Sequence, residues 1–169
     1  MASSSNKNNS KLMSIAHLNV RSVFTGFTEF QNLIYSNDFD VVAVTETWLS
    51  DHIPSSVVNM DNYKFYRADR KGTGGGIGIY VKNNIRAKLV LHDYNGISGI
   101  ELLCIELQLQ KLSFLIGIFY KTKCKLEDTT EFFDNFLSYV TPQYENIIIT
   151  GDLNIDFHFD NRLQECFTT

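Results

Sequence analysis

The chain lacks the patterns that mark zinc-binding, secreted and membrane-spanning proteins. Its 169 residues include only three cysteines, with no CxxC spacing among them, so zinc sites and disulfides are not expected. Its most apolar run, residues 114–120, is far shorter than the ~20 residues that span a bilayer. Residues 1–10 are rich in Ser and Asn and have no apolar segment, which predicts a disordered leader and not a signal peptide. We therefore expect an intracellular protein, nuclear or cytoplasmic, that does not bind membranes.

The chain also lacks an excess of positive charge. It has 15 Lys and Arg against 19 Asp and Glu, and its formal net charge is -4 at pH 7. Because non-specific affinity for nucleic acid comes mainly from Lys and Arg that neutralise phosphates, this charge argues against a broadly basic nucleic-acid clamp. Two local basic clusters remain, within residues 67–71 and 121–125, and a solvated face explains either one as well as a phosphate contact does.

The residues that are present indicate one packed domain rich in strands. Hydrophobic residues make up 44% of the chain and aromatic residues 13%, which is enough apolar surface for a real core. Apolar runs predict strands at residues 12–20, 41–44, 63–67, 77–82, 87–91, 100–108, 112–120 and 146–150. Apolar residues at helical spacing predict one helix at residues 27–35 and another that cannot continue past Pro142, with capping boxes at residues 28–31 and 128–131.

Four short polar clusters follow predicted strands, at the places where function gathers in mixed α/β folds. The clusters are Asn19, residues 45–48, Tyr120 and residues 151–154. They hold two carboxylates, two carboxamides and a phenol, which are groups suited to a hard cation such as Mg²⁺ and to phosphate chemistry. Each cluster also has an ordinary structural interpretation, as a surface residue or a turn that ends a strand.

Three sequence motifs stand in order along the chain: Leu-Asn-Val-Arg-Ser at residues 18–22, Thr-Glu-Thr-Trp-Leu at residues 45–49, and Gly-Asp-Leu-Asn-Ile-Asp at residues 151–156. Between them, Arg-Ala-Asp-Arg at residues 67–70 precedes Gly-Gly-Gly-Ile at residues 74–77. The ordered set resembles the endonuclease/exonuclease/phosphatase superfamily, and within it the apurinic/apyrimidinic-type endonuclease domain of non-LTR retrotransposons. The resemblance covers residues 11–169. It implies an α/β fold, a two-sheet α/β sandwich with outer helices.

The resemblance also implies a role for each polar residue at the strand ends. Glu46 and Asn19 would bind the metal, which would be Mg²⁺ or alternatively Mn²⁺. Asp152 would orient or deprotonate the attacking water, and Asn154 would donate to the phosphate. Tyr120 would approach the phosphate from the end of its strand.

DNA is the partner that the resemblance implies, and Arg67, Arg70 and Lys121 are its possible contacts to phosphate or DNA. Lys121 follows Tyr120 where the family commonly continues Tyr-Arg-Pro. Lysine keeps the positive charge but loses the planar fork of arginine, so this chain departs from the family in how it would position a phosphate.

The family's catalytic Ser-Asp-His cluster occurs nowhere in this sequence. We therefore expect a domain that lacks its C-terminal part, with an incomplete second sheet and weak or no activity. An uncovered apolar sheet face would favour self-association or a protein partner. His158, four residues beyond Asn154, is the histidine placed best to replace the missing one.

Three functions are consistent with this sequence. The first is a Mg²⁺-dependent, phosphodiester-hydrolysing endonuclease domain of retrotransposon origin. The second keeps the fold but has lost catalysis, and serves as a domesticated binding or interaction module. The third is a phosphatase or lipid phosphodiesterase of the same superfamily, which the retrotransposon-like segment at residues 67–81 makes less favoured.

Overall fold

The apolar runs of the sequence form the strands of two mixed β-sheets. The computed structural model describes residues 12–93, 99–122 and 124–154. The elements in chain order are β1 (Ile15–Asn19), α1 (Phe27–Asn37), β2 (Val41–Thr45), a short 3₁₀ helix (Ser55–Val58), β3 (Tyr63–Ala68), β4 (Ile77–Lys82), β5 (Arg86–Asp93), β6 (Ile100–Leu109), β7 (Leu112–Lys121), α2 (Leu126–Val140) and β8 (Ile147–Asp152).

The first sheet has the strand order β1-β2-β4-β3. Strands β1 and β2 are parallel and are joined by α1, and their register places Asn19 beside Thr45. Strand β4 runs antiparallel to both β2 and β3. Because β1 and β2 run in the same direction, the polar residues that follow both strands lie together at one end of the sheet.

The second sheet has the strand order β5-β6-β7-β8. Strands β6 and β7, both predicted from apolar runs, form a hairpin that turns at Gln110 and Lys111. Strand β8 returns parallel to β7 after α2, with Tyr120 beside Asp152. The ends of β7 and β8 therefore place a second pair of polar residues together.

Alternate residues along the central strands face two different cores. Val41 and Ala43 of β2 pack with Leu103 and Ile105 of β6 in the core between the sheets. The intervening residues of β2 pack under Phe30 and Ile34 of α1, while residues of β6 and β7 on their other face pack under Phe136 and Val140 of α2. Both faces of these strands are thus buried, which explains their continuous apolar sequences. The prediction of a two-sheet α/β sandwich with outer helices is confirmed.

The two predicted capping boxes were wrong. Helix α1 begins at Phe27 with Gly26 at its N-cap, and α2 begins at Leu126 with Lys125 at its N-cap; neither has a side-chain capping hydrogen bond. Because α2 starts three residues earlier than the box requires, Asp128 lies inside the first turn. Its charge there interacts favourably with the helix dipole and the free N–H groups.

Several predictions fall on residues that the structure does not describe. The disordered leader at residues 1–10, Asp156 of the third motif and His158 all lie outside the described residues. The incompleteness of the second sheet also stays a prediction. Neither α1 nor α2, nor any other helix of the described ranges, is long and apolar enough to cross a membrane.

Gly151 allows β8 to lie against β7 at the point where the site is built. Its φ is 143°, and a Cβ atom added there would lie 1.9 Å from the carbonyl oxygen of Phe119. We predict that Gly151→Ala lowers the free energy of unfolding by about 3 kcal/mol or more, because the clash is with backbone and cannot be relieved by a rotamer change. Urea denaturation followed by circular dichroism measures this loss.

Gly26→Ala is the matched control for that variant, since a Cβ atom at Gly26 meets nothing within 4 Å. It should cost less than about 1 kcal/mol, the usual difference between residues at an N-cap. Equal stability losses in the two variants would contradict the close approach of β8 to Phe119.

Candidate active site

Four of the predicted site residues meet where the two sheets adjoin. Asn19 at the end of β1 and Glu46 just after β2 come from the first sheet, while Tyr120 near the end of β7 and Asp152 at the end of β8 come from the second. The structure thus brings together polar residues carried by four separate strands. Two sheets of one sandwich build this site, with each contributing two residues.

The carboxamide of Asn19 connects the two carboxylates. Its Nδ2 donates to Oε1 of Glu46 at 2.9 Å and to Oδ2 of Asp152 at 3.0 Å. The two N–H bonds of one amide therefore hold two like charges side by side. Such an arrangement offsets part of the repulsion between them, and it leaves a centre of negative charge that a cation would neutralise.

Tyr120 holds Glu46 from the opposite sheet. Its hydroxyl donates to Oε1 of Glu46 at 3.0 Å, and its side chain is only 8% exposed. Burial, and then the hydrogen bond to Glu46, raise the pKa of Tyr120 to about 12. The phenol therefore stays protonated and keeps donating to Glu46 at neutral pH.

The backbone after β2 is held on both sides, and this places Glu46. The amide of Ser22 donates to the carbonyl of Glu46 at 2.8 Å, and the amide of Thr47 donates to the carbonyl of Gly76 at 3.0 Å. Glu46 itself has φ of 56°, a left-handed conformation that is uncommon for a residue with a side chain. The contacts around it maintain this conformation, which is typical of functional sites.

Asp152 is oriented by a turn as well as by Asn19. The amide of Asn154 donates to Oδ1 of Asp152 at 2.9 Å, which is the Asx turn considered as the ordinary alternative for this motif. The turn and the site coexist, since Asp152 uses its other oxygen for Asn19. The strand does not continue to Asn154: β8 ends at Asp152, Asn154 has φ of 48°, and its Nδ2 donates to the carbonyl of Lys121 at 2.7 Å.

Arg70 lies beside the site and is held by an acid that the sequence analysis missed. Its guanidinium carbon lies 5.5 Å from the centre of the Tyr120 ring, and its Nε forms an ion pair with Glu101. Glu101 is 2% exposed and also accepts from the amide of Gly76 at 2.8 Å. Burial raises the pKa of Glu101, and Arg70 opposes that rise. Glu101 is the one charged residue in the apolar first half of β6, and this was the sequence signal that could have indicated its role.

The structure does not bring the side chains of Arg67 and Lys121 into hydrogen-bond contact with Glu46 or Asp152. All three guanidinium nitrogens of Arg67 donate within the protein, to Asp69, to the carbonyls of Ser50 and Ile53, and to Ser55. This arginine therefore has a structural role in fastening the loop after β2 to β3. Lys121 is 8% exposed, and within the described residues its side chain makes no hydrogen bond to Glu46 or Asp152.

His17 lies in β1 and is influenced electrostatically by Asp152 of the site. Its Nε2 is 3.3 Å from the hydroxyl of Thr45. Burial lowers the pKa of His17, and the charge of Asp152 opposes this change. The result is a neutral imidazole beside Thr45 of β2, which indicates a structural role.

The donor set of the site fits a hard divalent cation better than a soft one. Within residues 12–93, 99–122 and 124–154, no group of three or more His, Cys, Asp and Glu side chains is placed to hold a metal. Mg²⁺ does not need such a group, because it binds through one or two carboxylates and keeps several waters or substrate oxygens. Glu46 accepts both of its hydrogen bonds at Oε1, and no described residue donates to its Oε2. As far as residues 12–93, 99–122 and 124–154 are concerned, that oxygen is left for a cation.

Comparison with solved structures shows the same fold. The endonuclease domain of TRAS1, a telomere-specific non-LTR retrotransposon, superposes with a TM-score of 0.69 and 11% identity, over 90% of this chain and 68% of that one. A humanized D. rerio TDP2 gives a TM-score of 0.65 and 15% identity, over 92% of this chain and 66% of that one. D. rerio TDP2 complexed with single strand DNA product gives 0.59 and 17%, over 90% of this chain and 64% of that one.

At these identities the likeness is one of fold, and the chain spans less than two thirds of the length of these TDP2 structures. No curated protein matches the sequence significantly. The sequence profile described as the Endonuclease/Exonuclease/phosphatase family matches residues 16–164, which is most of the chain. Together with the two-sheet sandwich and the site between its sheets, this match shows that the chain belongs to the Endonuclease/Exonuclease/phosphatase family.

Proposed function

We propose that the chain is a Mg²⁺-dependent, phosphodiester-hydrolysing endonuclease domain of retrotransposon origin that acts on DNA. The observation that carries the proposal is the Asn19 carboxamide, which holds Glu46 and Asp152 together from two different sheets. The fold likeness to a retrotransposon endonuclease domain supports the same conclusion. Mn²⁺ is an alternative metal, since it also prefers oxygen ligands.

Each residue of the site has a task that its contacts suit. Glu46 would hold the cation through its carboxylate, with Asn19 and Tyr120 keeping that carboxylate in place. A bound divalent cation supplies positive charge that neutralises a phosphodiester and the charge that develops on it. Asp152 would accept a proton from the attacking water, because its carboxylate is anchored by a turn and by Asn19.

Charge on the transferred phosphate needs further donors. Arg70 is the guanidinium beside the site, and its ion pair with Glu101 sets its direction. Asn154 and Lys121 are weaker candidates. The side-chain amide of Asn154 already donates to the carbonyl of Lys121, and Lys121 is buried. Within the described residues, no histidine is hydrogen-bonded to Glu46 or Asp152, so we expect slow catalysis by the residues described.

Metal binding tests the site without requiring catalysis. We predict that the chain binds one Mg²⁺ with an affinity that falls at least about 10-fold in Glu46→Gln and in Asp152→Asn, because each loses one of the two carboxylates. Isothermal titration calorimetry measures the affinity. Asp134→Asn on the exposed side of α2 is the matched control and should bind as the original chain does. Equal binding by all four proteins would rule out this site.

Plasmid nicking tests the reaction. We predict slow, Mg²⁺-dependent conversion of supercoiled plasmid to open circles, reduced about 10²-fold or more in Glu46→Gln and abolished by a chelator. Agarose gels of time courses with purified protein show the conversion. If Mg²⁺ binding depends on Glu46 and Asp152 but no nicking occurs at any protein concentration, the binding-module alternative replaces the enzyme.

Asn19→Ala tests the bridge between the carboxylates. We predict a loss of about 1 kcal/mol in the free energy of unfolding without metal, because two charge-assisted bonds disappear, although their exposure to water limits their value. Urea denaturation at low and high NaCl measures the loss, part of which salt should restore by screening Glu46 from Asp152.

Asn146→Ala removes a hydrogen bond of comparable type, from Nδ2 of Asn146 to the carbonyl of Ser113 at 3.2 Å, where no carboxylate is involved. Its loss should not depend on salt. If Asn19→Ala and Asn146→Ala respond to salt in the same way, Asn19 does not hold two charges together.

A further inference from the structure

Trp48 is the chain's single tryptophan, and 48% of its surface is exposed at the edge of the candidate site. Residues along this segment alternate in burial: Thr47 and Leu49 are buried at 0% and 3%, whereas Glu46 is half-buried and Trp48 is exposed. The Glu46 carboxylate and the indole therefore belong to the less buried side of one short segment. An aromatic ring of this size is usually more deeply buried.

The protein holds Trp48 in an unfavourable backbone conformation. Its φ is 53°, in the left-handed region that bulky residues avoid. Its amide donates to the carbonyl of Gly75 at 2.9 Å, and the carbonyl of Thr47 accepts from the amide of Val23 at 3.1 Å, so the segment is fixed from two sides. Burial of Trp48 offsets little of this cost, since 48% of the residue's surface is exposed. Strain that is not repaid by packing is a feature of functional sites.

The loop between β3 and β4 lies beside Trp48 and carries two cations that line a cleft. The indole nitrogen is 3.8 Å from the place where a Cβ atom of Gly74 would lie, so the backbone of this glycine lies beside the ring. Arg70 and Lys71 of the same loop line a cleft of about 640 Å³, whose other charged residues are Arg67, Asp51 and Asp69. Arg70 also lies against Tyr120, so the same guanidinium adjoins both the cleft and the carboxylate site.

We propose that Trp48 is a stacking platform for an unpaired nucleobase next to the phosphate that is bound at Glu46 and Asp152. The proposal deepens the proposed function and rests on it, since it names single-stranded or locally unpaired DNA as the form of substrate that the site takes. Aromatic faces that stack on bases, combined with cations that follow the backbone, are the general means of binding single strands. Trp48 supplies the face, and Arg70 with Lys71 supplies the charge.

The single tryptophan allows a direct test by fluorescence. The purified chain is titrated in Mg²⁺ with oligothymidylate and with an oligomer of the same length whose sugars carry no bases. Fluorescence anisotropy of a dye on each oligomer reports binding, and tryptophan emission reports stacking. We expect oligothymidylate to quench the emission and to bind at least about 5-fold more tightly than the abasic oligomer.

Two substitutions separate stacking from folding. Trp48→Gly should weaken binding of oligothymidylate by about 10-fold, leave binding of the abasic oligomer unchanged, and keep or raise the Tm, because glycine tolerates the left-handed φ. Trp48→Phe should restore most of the affinity. Tyr139→Ala on α2, where the tyrosine is 60% exposed, is the control and should bind both oligomers as the original chain does.

The possible failures are distinct. Equal binding of both oligomers, with no quenching, would overturn the platform and leave the proposed function standing. Equal losses for both oligomers in Trp48→Gly, with a lowered Tm, would show a purely structural rim residue and would also overturn it. If neither oligomer binds, while the fold is intact, the proposed DNA substrate fails and the platform fails with it.

Discussion

The contact between the two sheets at Asn19 sets the geometry on which the candidate site depends. One carboxamide donates to carboxylates that reach it from different sheets, Glu46 and Asp152. If the sheets shifted relative to each other, one of these bonds would break and the two acids would no longer form a single site. The sandwich core, in which Ala43 and Ile79 of one sheet pack with Ile105 and Ile118 of the other, is therefore also what keeps the site assembled.

Support for the site continues outward from these carboxylates. Tyr120 holds Glu46 and is itself covered by Arg70, which is paired with the buried Glu101. Glu101 also binds the amide of Gly76, in the loop that fixes the segment after β2. Charged groups buried in this way are stable only when each has a partner. The chain of contacts joins the glycine loop, β6, β7 and the end of β2 into one support.

Arg67 and Arg70 are close in the sequence but make different contacts in the fold. Arg67 gives its donors to Asp69 and to backbone carbonyls of the loop after β2, so it fastens the loop and has little left to offer a ligand. Arg70 lies three residues later, beyond the end of β3, and is directed toward Tyr120. Both belong to the same basic cluster in the sequence, and only their surroundings separate a structural role from a place beside the site.

Local sequence determined much of this protein. Because both faces of the central strands are buried, their apolar runs are visible without a structure, and the polar residues that end them could be named as candidates in advance.

Tertiary structure decided the rest. Asn19 and Asp152 stand 133 positions apart, and no local pattern states that one amide joins them. In the sequence, Glu101 is an acid among apolar neighbours. In the fold, its position in β6 directs its side chain inward, where it pairs with Arg70. Trp48 has its exposed position only because residues from two other segments fix the backbone on either side of it. Contacts between distant segments depend on how the sheets pack, and the sequence near each residue does not contain that information.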